Sequence, residues 1–282
     1  MRNNFAGRLT RAGFLLLAAC AAMSAQRAPA AEQRDVGQRD VGQRDVGQRD
    51  VGQRDVGRGA APAVRAVLVA GDGSLRVFDN GVAGMAAWLR DTSGPEAGQV
   101  TQLSASPTVI ARQQVGPASW HHVMQAIEGL RPAPGQACFV FITSHGIPGE
   151  GVALSYDDSV LRPAALDRAL ANGCGDAPTV AIVSACYSGS FARPPMARPN
   201  RIVLTAARAD RPSFGCGADE TYTFFDECLL HSLDRGSRWR EVFAATRSCV
   251  EQREAREDEV PSRPQGWFGA AVANLPLPRA AR

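Results

Sequence analysis

Cys138-Phe139-Val140-Phe141-Ile142-Thr143 and Thr179-Val180-Ala181-Ile182-Val183-Ser184 are continuous apolar runs, each closed by a hydroxyl residue. Runs without polar alternation are the mark of strands buried on both faces of a parallel sheet. Between them Ala164 to Ala171, preceded by Pro163 and followed by Gly173, carries the start and stop signals of a helix. Strand, helix and strand in that order predict a right-handed crossover that makes the two strands neighbours, about 4.8 Å apart. Each run is followed at once by a reactive stretch, Ser144-His145-Gly146 after the first and Ala185-Cys186 after the second. Open parallel sheets carry their functional groups at the carboxyl ends of strands, so His145 and Cys186 are expected to open into one crevice.

Outward from this pair, strand-like and helical patterns alternate. Arg65 to Ala70 reads as an opening strand that ends in a turn at Gly71-Asp72-Gly73, Val82 to Leu89 as a first crossover helix, and Val100 to Leu103 as a second strand. Ser119 is placed to cap a helix carrying Trp120, Val123, Met124 and Ile127. Arg201 to Thr205 reads as a further strand, and Thr221 to Leu233 and Trp239 to Arg253 as later helices. The expected class is α/β, a three-layer α/β/α sandwich with a mostly parallel sheet, spanning residues 63–282. Arg193 to Asn200, rich in proline and arginine, reads either as a mobile loop shaping access to the crevice or as a plain connector.

A histidine beside a cysteine suits nucleophilic catalysis. The imidazole takes or holds a proton near neutral pH, and the thiolate is the attacking species. Gly146 and Ala185 keep the neighbourhood small, and the amides of Gly146 and Cys186 are candidate oxyanion donors. The bland alternative is a core histidine and a core cysteine, since Cys is among the most buried residue types. Two strand-end residues that fit one mechanism outweigh it. His121, His122 and His231 read as surface or core residues on helices.

Composition removes other chemistries. All 31 basic residues are arginine, so P-loop phosphate sites, Schiff bases, Ser-Lys dyads and the kinase ATP site, which need a lysine, are excluded. A formal charge of +3 gives no reason to expect nucleic acid. No His-Glu-x-x-His, paired Cys-x-x-Cys or acidic calcium loop occurs, and no metal ligand set is expected. Gly-x-Ser-x-Gly is absent, so a serine hydrolase would lack its nucleophile elbow.

At the amino end, arginines 2, 8 and 11 precede the short apolar run Ala12 to Ala19, the layout of a secretory signal within residues 1–25. Leu17-Ala18-Ala19-Cys20 resembles a bacterial lipobox, which makes Cys20 a lipid anchor and the protein a periplasmic or outer-membrane lipoprotein facing the periplasm. Plain cleavage after Ala25 or Ala30 is the alternative. Residues 26–62 read as a disordered linker in which Gln-Arg-Asp-Val-Gly repeats five times from Gln33 to Gly57. A period of five lines up on neither a helix nor a strand face. Of the seven cysteines, setting aside Cys20 and Cys186 leaves five, enough for at most two disulfides, and Cys228 with Cys249 is the expected pair.

The landmarks Leu-Val-Ala-Gly at residues 68–71, Ser144-His145-Gly146, Ser184-Ala185-Cys186-Tyr187-Ser188-Gly189-Ser190, Leu204-Thr205-Ala206-Ala207 and Ser213-Phe214-Gly215-Cys216 together resemble the legumain family of cysteine peptidases, related more distantly to caspases. The resemblance covers most of the domain. It implies a cysteine endopeptidase that passes through a thioester acyl-enzyme, with Cys186 as nucleophile, His145 as general acid/base and the Gly146 amide as oxyanion donor. It implies a peptide or protein substrate and no cofactor, and a membrane enters only through the lipid anchor. Ser213, Asp226 and Arg76 correspond to substrate-pocket positions. Ser184 departs from the eukaryotic legumains, which carry there an acidic residue that helps read asparagine. Two rival outcomes remain on the same fold, a peptide ligase in which an amine intercepts the acyl-enzyme and a silent lipoprotein that binds a peptide in the cleft.

Overall fold

The computed structural model describes residues 61–93 and 99–278. The chain divides into residues 1–54 and 55–282, and every described residue belongs to the second unit. The expected signal, Cys20 and the repeats at 33–57 lie outside the described residues.

The sheet has seven strands. In chain order its elements are β1 (Val64–Ala70), β2 (Val100–Ser104), β3 (Gly116–Pro117), β4 (Ala137–Thr143), β8 (Thr179–Ser184), β9 (Arg201–Thr205) and β10 (Gln265–Phe268). Across the sheet they run β10-β9-β8-β4-β1-β2-β3, parallel except for β10. The helices are α1 (Arg76–Ser93), α2 (Pro107–Gln113), α3 (Trp120–Glu128), α4 (Pro163–Cys174), α5 (Phe224–Leu233) and α6 (Trp239–Arg256). A small antiparallel sheet of β5 (Gly146–Ile147), β6 (Gly151–Leu154) and β7 (Ser159–Leu161) rises from the end of β4.

Alternation along the buried strands explains the layers. Phe139 and Phe141 of β4 and Val180 and Ile182 of β8 join one core with Phe78, Met85 and Leu89 of α1, Phe225 and Leu229 of α5, and Trp239 of α6. Their sequence neighbours Val140, Ile142, Ala181 and Val183 join the other, with Val123 and Ile127 of α3 and Leu166 and Leu170 of α4. Each fully buried Val, Leu or Phe contributes roughly 1.5–3 kcal/mol against exposure, so a central strand that feeds both cores anchors both layers.

Several expected boundaries shift. The helix expected over Val82 to Leu89 begins six residues earlier, at Arg76, immediately after the turn that closes β1. Gly173 lies inside α4, not beyond it, because a β-carbon there would fall 2.0 Å from the Ile127 carbonyl oxygen where α3 crosses, and Gly175 stops the helix. Ser119 caps α3 by accepting from the His122 amide, and Thr223 caps α5 by accepting from the Asp226 amide. Arg193 to Asn200 is an anchored connector. Met196 is fully buried, Arg198 is bonded to Asp167 of α4, and the Trp267 indole of β10 donates to the Arg198 carbonyl. Among the described residues two disulfides, Cys138–Cys174 and the expected Cys228–Cys249, tie β4 to α4 and α5 to α6, leaving Cys186 and Cys216 free.

Candidate active site

Strands β4 and β8 pair in parallel with Thr143 opposite Ser184, and the Ser144 amide carries the ladder one step further by donating to the Ser184 carbonyl at 3.1 Å. His145 and Cys186 therefore leave neighbouring strands at nearly the same level. Counting in twos from Phe141 and Ile182 puts Thr143 and His145, and Ser184 and Cys186, toward α1 and α5. The His145 ring confirms the side, packing edge-on against Phe78 of α1 with centroids 5.1 Å apart. No direct hydrogen bond joins His145 to Cys186 among the described residues.

Gly146 explains why the two chains run so close. A β-carbon at this position would fall 1.8 Å from the Cys186 carbonyl oxygen. The backbone pressed against it is that of Cys186 itself. Gly146 also pairs with Val152 across β5 and β6 while the Ala153 amide donates to the His145 carbonyl, so Gly146 occupies a non-hydrogen-bonded position and its N–H turns away from β6.

Cys186 is half-buried, and its sulfur meets Ser213 at three points. The Ser213 amide donates to Sγ at 3.2 Å, the thiol donates to the Ser213 carbonyl at 3.3 Å, and the Ser213 hydroxyl lies 3.6 Å away. The loop after β9 that carries Ser213 is held in turn by the Tyr187 amide donating to the Arg211 carbonyl and the Phe224 amide donating to the Phe214 carbonyl.

Asp226 lies fully buried on the first turn of α5, beneath the ends of β4 and β8. Its Oδ2 accepts from the Thr143 hydroxyl at 2.7 Å, and its Oδ1 has no partner. Burial pushes its carboxyl up to about 6 against the opposing pull of the Ser184, Thr143 and Thr223 hydroxyls. Ser184 is buried, its hydroxyl 3.5 Å from that of Thr223. Arg76, the first residue of α1, is exposed and paired with no acid among the described residues. The structure thus brings Ser213 against the cysteine, with Ser184 and Asp226 beneath the same strand ends, and shows no contact that joins Arg76 to them among the described residues.

Three neighbours were not assigned to the site from the sequence. Asp72, in the turn after β1, is nearly buried; burial works to raise its carboxyl, but hydrogen bonds from Ser74 and the nearby His145 imidazole hold it below the usual range. Asp79, on the first turn of α1, accepts from the Ser104 hydroxyl at 2.7 Å, yet burial, with the Asp72 charge, leaves its carboxyl raised. Cys216 is pushed up to about 12 by burial and by the charges of Cys186, Asp226 and Asp72. Asp72 was findable, because it ends a strand of the same sheet on the same edge. Asp79 carries no local signal, since one helical acid looks like any other.

A shallow cleft of about 290 Å³ between β2 and α3, lined by Arg65, Thr101, Leu103 and His122, lies on the other face of the sheet. Among the described residues no group of three or more His, Cys, Asp or Glu side chains is arranged to hold a metal ion.

The fold resembles that of caspase-1 from Spodoptera frugiperda, at 11% identity and a TM-score of 0.52, over 74% of this chain and 87% of that one. Curated proteins give no match. The model of the Peptidase C13 family matches residues 112–257, just over half the chain and the part that holds His145, Cys186, Ser213 and Asp226, so the protein belongs to that family and is a cysteine peptidase.

Proposed function

We propose that this peptidase hydrolyses peptide bonds through a dyad of Cys186 and His145 and a thioester acyl-enzyme. The observation that carries the reading is the level pairing of β4 and β8, which sends the histidine and the thiol from adjacent strand ends to one face of the sheet. Cys186 attacks the substrate carbonyl as a thiolate. The imidazole holds the thiol proton and passes it to the leaving amine, and water, deprotonated by the same imidazole, then hydrolyses the thioester. The Gly146 N–H, turned away from β6, donates to the oxyanion of each tetrahedral intermediate. The Ser213 amide beside Sγ favours the thiolate by charge-assisted hydrogen bonding.

We place the protein outside the cytoplasm, delivered by the signal within residues 1–25 and tethered through Cys20 and the 26–62 linker ahead of a 63–282 domain. Two disulfides are consistent with an oxidising compartment.

A fluorogenic peptide library tests the dyad. Cleavage by the native protein should vanish in Cys186→Ala and fall by at least about a thousandfold in His145→Gln. Cleavage that survives in a folded Cys186→Ala protein would move the nucleophile elsewhere. Metabolic labelling with a fatty acid, lost in Cys20→Ser, tests the anchor.

A further inference from the structure

The turn after β1 is pressed against the strand end that carries His145. The Gly71 amide donates to the Thr143 carbonyl at 2.9 Å, and a β-carbon on Gly71 would fall 2.8 Å from the Ser144 β-carbon and 2.6 Å from the Ala153 carbonyl oxygen. The small sheet closes over the same turn. The Ser155 amide donates to the Gly71 carbonyl at 2.7 Å, and the Gly73 amide donates to the Ser155 hydroxyl at 3.2 Å. Strands β1, β4 and β8 are consecutive in the sheet, with Ala70, Thr143 and Ser184 in one row across it. Two residues beyond each of these stand Asp72, His145 and Cys186. Ala66, Leu68 and Ala70 of β1 belong to the core shared with α1 and α5, so the alternation puts Asp72 on the face that holds His145 and Cys186.

The carboxylate of Asp72 is fixed in place. It accepts from the Ser74 amide at 2.8 Å and from the Ser74 hydroxyl, and the residue is 8% exposed. Burial works to raise the carboxyls of both Asp72 and Asp167, and both are nevertheless held below the ordinary range. Asp167 owes this to Arg198 and Arg201, whereas Asp72 owes it to Ser74, the charge of His145 and Ser155. The cation that offsets the burial of Asp72 is thus the imidazole itself. The other ionisable groups near the pair bring no positive charge. They are Asp79 of α1, which feels Asp72, and the thiol of Cys216, which feels Asp72 and Cys186. Helix α1 meets the imidazole ring through the apolar Phe78.

We propose that Asp72 is a positioning residue for the base: its negative charge, held level with His145 at the end of the next strand, stabilises the imidazolium that forms when Cys186 gives up its proton. The proposal rests on the peptidase reading above. Proton transfer from Sγ to the imidazole creates a cation beside Phe78, where little water can solvate it. A fixed carboxylate offsets that cost without having to reorganise as the charge appears. Asp72 and His145 share no hydrogen bond among the described residues, so the effect is one of charge across the row. The bond to the Ser74 amide is a separate matter, since any acceptor at position 72 can shape the turn.

Asp72→Asn and Asp72→Ala separate charge from shape, because asparagine keeps an acceptor for Ser74 and alanine removes it. Two readouts are taken on the full chain, each variant first being checked for a cooperative melt. One is kcat and KM for a cleaved peptide. The other is the rate at which iodoacetamide alkylates Cys186, which needs no turnover and is followed by mass spectrometry because Cys216 is also free. Asp72→Asn should lose at least about tenfold in kcat with KM little changed. Its alkylation should slow severalfold at about pH 6, where the thiolate depends on an imidazolium partner, and the difference should close toward about pH 9, where the thiol ionises unaided. Native kcat and alkylation in Asp72→Asn, with losses confined to Asp72→Ala, would assign Asp72 to the turn alone and overturn the proposal. Slowing by the same factor at every pH would mean altered access and would overturn it too. Slower alkylation at low pH in the variant, with no peptide cleavage by the native protein, would keep the role of Asp72 and sink the hydrolytic reading. Cys186-dependent cleavage that Asp72→Asn leaves untouched would do the reverse.

Discussion

Gly146 lies with its α-carbon against the backbone of Cys186, so that a β-carbon on the first would meet the carbonyl oxygen of the second at 1.8 Å. The glycine after the histidine is therefore set by contact between two strand ends of the enzyme. Gly146→Ala must push β4 and β8 apart where they carry the reactive pair. We expect it to cost roughly 1–3 kcal/mol of stability, the range for overpacking, and to lower kcat/KM by more than that loss explains, measured as thermal unfolding beside peptide cleavage.

Asp167 of α4 holds two arginines at once, the fully buried Arg201 at the start of β9 and the half-exposed Arg198 of the connector. Burial alone would raise the Asp167 carboxyl, but the two guanidinium groups hold it below the ordinary range. Asp167→Ala strands a buried guanidinium and should cost roughly 3–5 kcal/mol, seen as a lower midpoint in urea. An unchanged midpoint would mean that Arg201 finds another partner or water.

The mostly parallel sheet and the adjacency of its two central strands were legible because β4 and β8 are apolar on both faces, whereas the order of the other strands was not. The placing of His145 and Cys186 just beyond two neighbouring strand ends was legible, since a strand end fixes position in a parallel sheet. Asp72 was overlooked although it obeys the same rule, because its setting between Gly71 and Gly73 reads first as a turn. The small sheet of β5, β6 and β7, with strands of two to four residues, left no periodicity to read. Neither did α2, which has no buried residue to reveal a face. Edge strand β10 presents Gly266 and Trp267 to solvent and lacks the apolar run that marked the inner strands.

Asp226 predicts a dependence on pH. Its folded value of about 6 lies above the ordinary carboxyl value of 3.8, so the folded state binds this proton more tightly than the unfolded chain does. The stabilisation is present in full below the unfolded value and lost as pH rises through about 6, by at most roughly 3 kcal/mol. Asp226→Asn removes that penalty, so its melting temperature relative to the native protein should be higher at pH 7.5 than at pH 4.5. An equal difference at both pH values would show that the buried carboxyl does not titrate in this window.

The Cys228–Cys249 bridge joins α5 to α6 across a sequence separation of 21. Opening a loop of this size removes roughly 3 kcal/mol on the chain-entropy account. Cys228→Ala with Cys249→Ala should lower the melting temperature and leave the free thiol count of the denatured native protein two higher than that of the variant after reduction. Since α5 carries Asp226 and its Thr223 cap beneath Cys186, the variant should also lose some cleavage activity at temperatures well below its melting point.

The pairing of Thr143 with Ser184 also constrains how this enzyme can change in length. Side chains alternate between faces along a strand, so one residue gained or lost within β4 or β8 would turn either His145 or Cys186 to the α3 and α4 side, with the whole core pattern of that strand. Insertions and deletions are thus filtered by parity inside these two strands and are free of it in the crossover between them. Descendants of this chain can grow at the exposed turn of Asp176 and keep their chemistry, but within the two central strands even a single added residue separates His145 from Cys186.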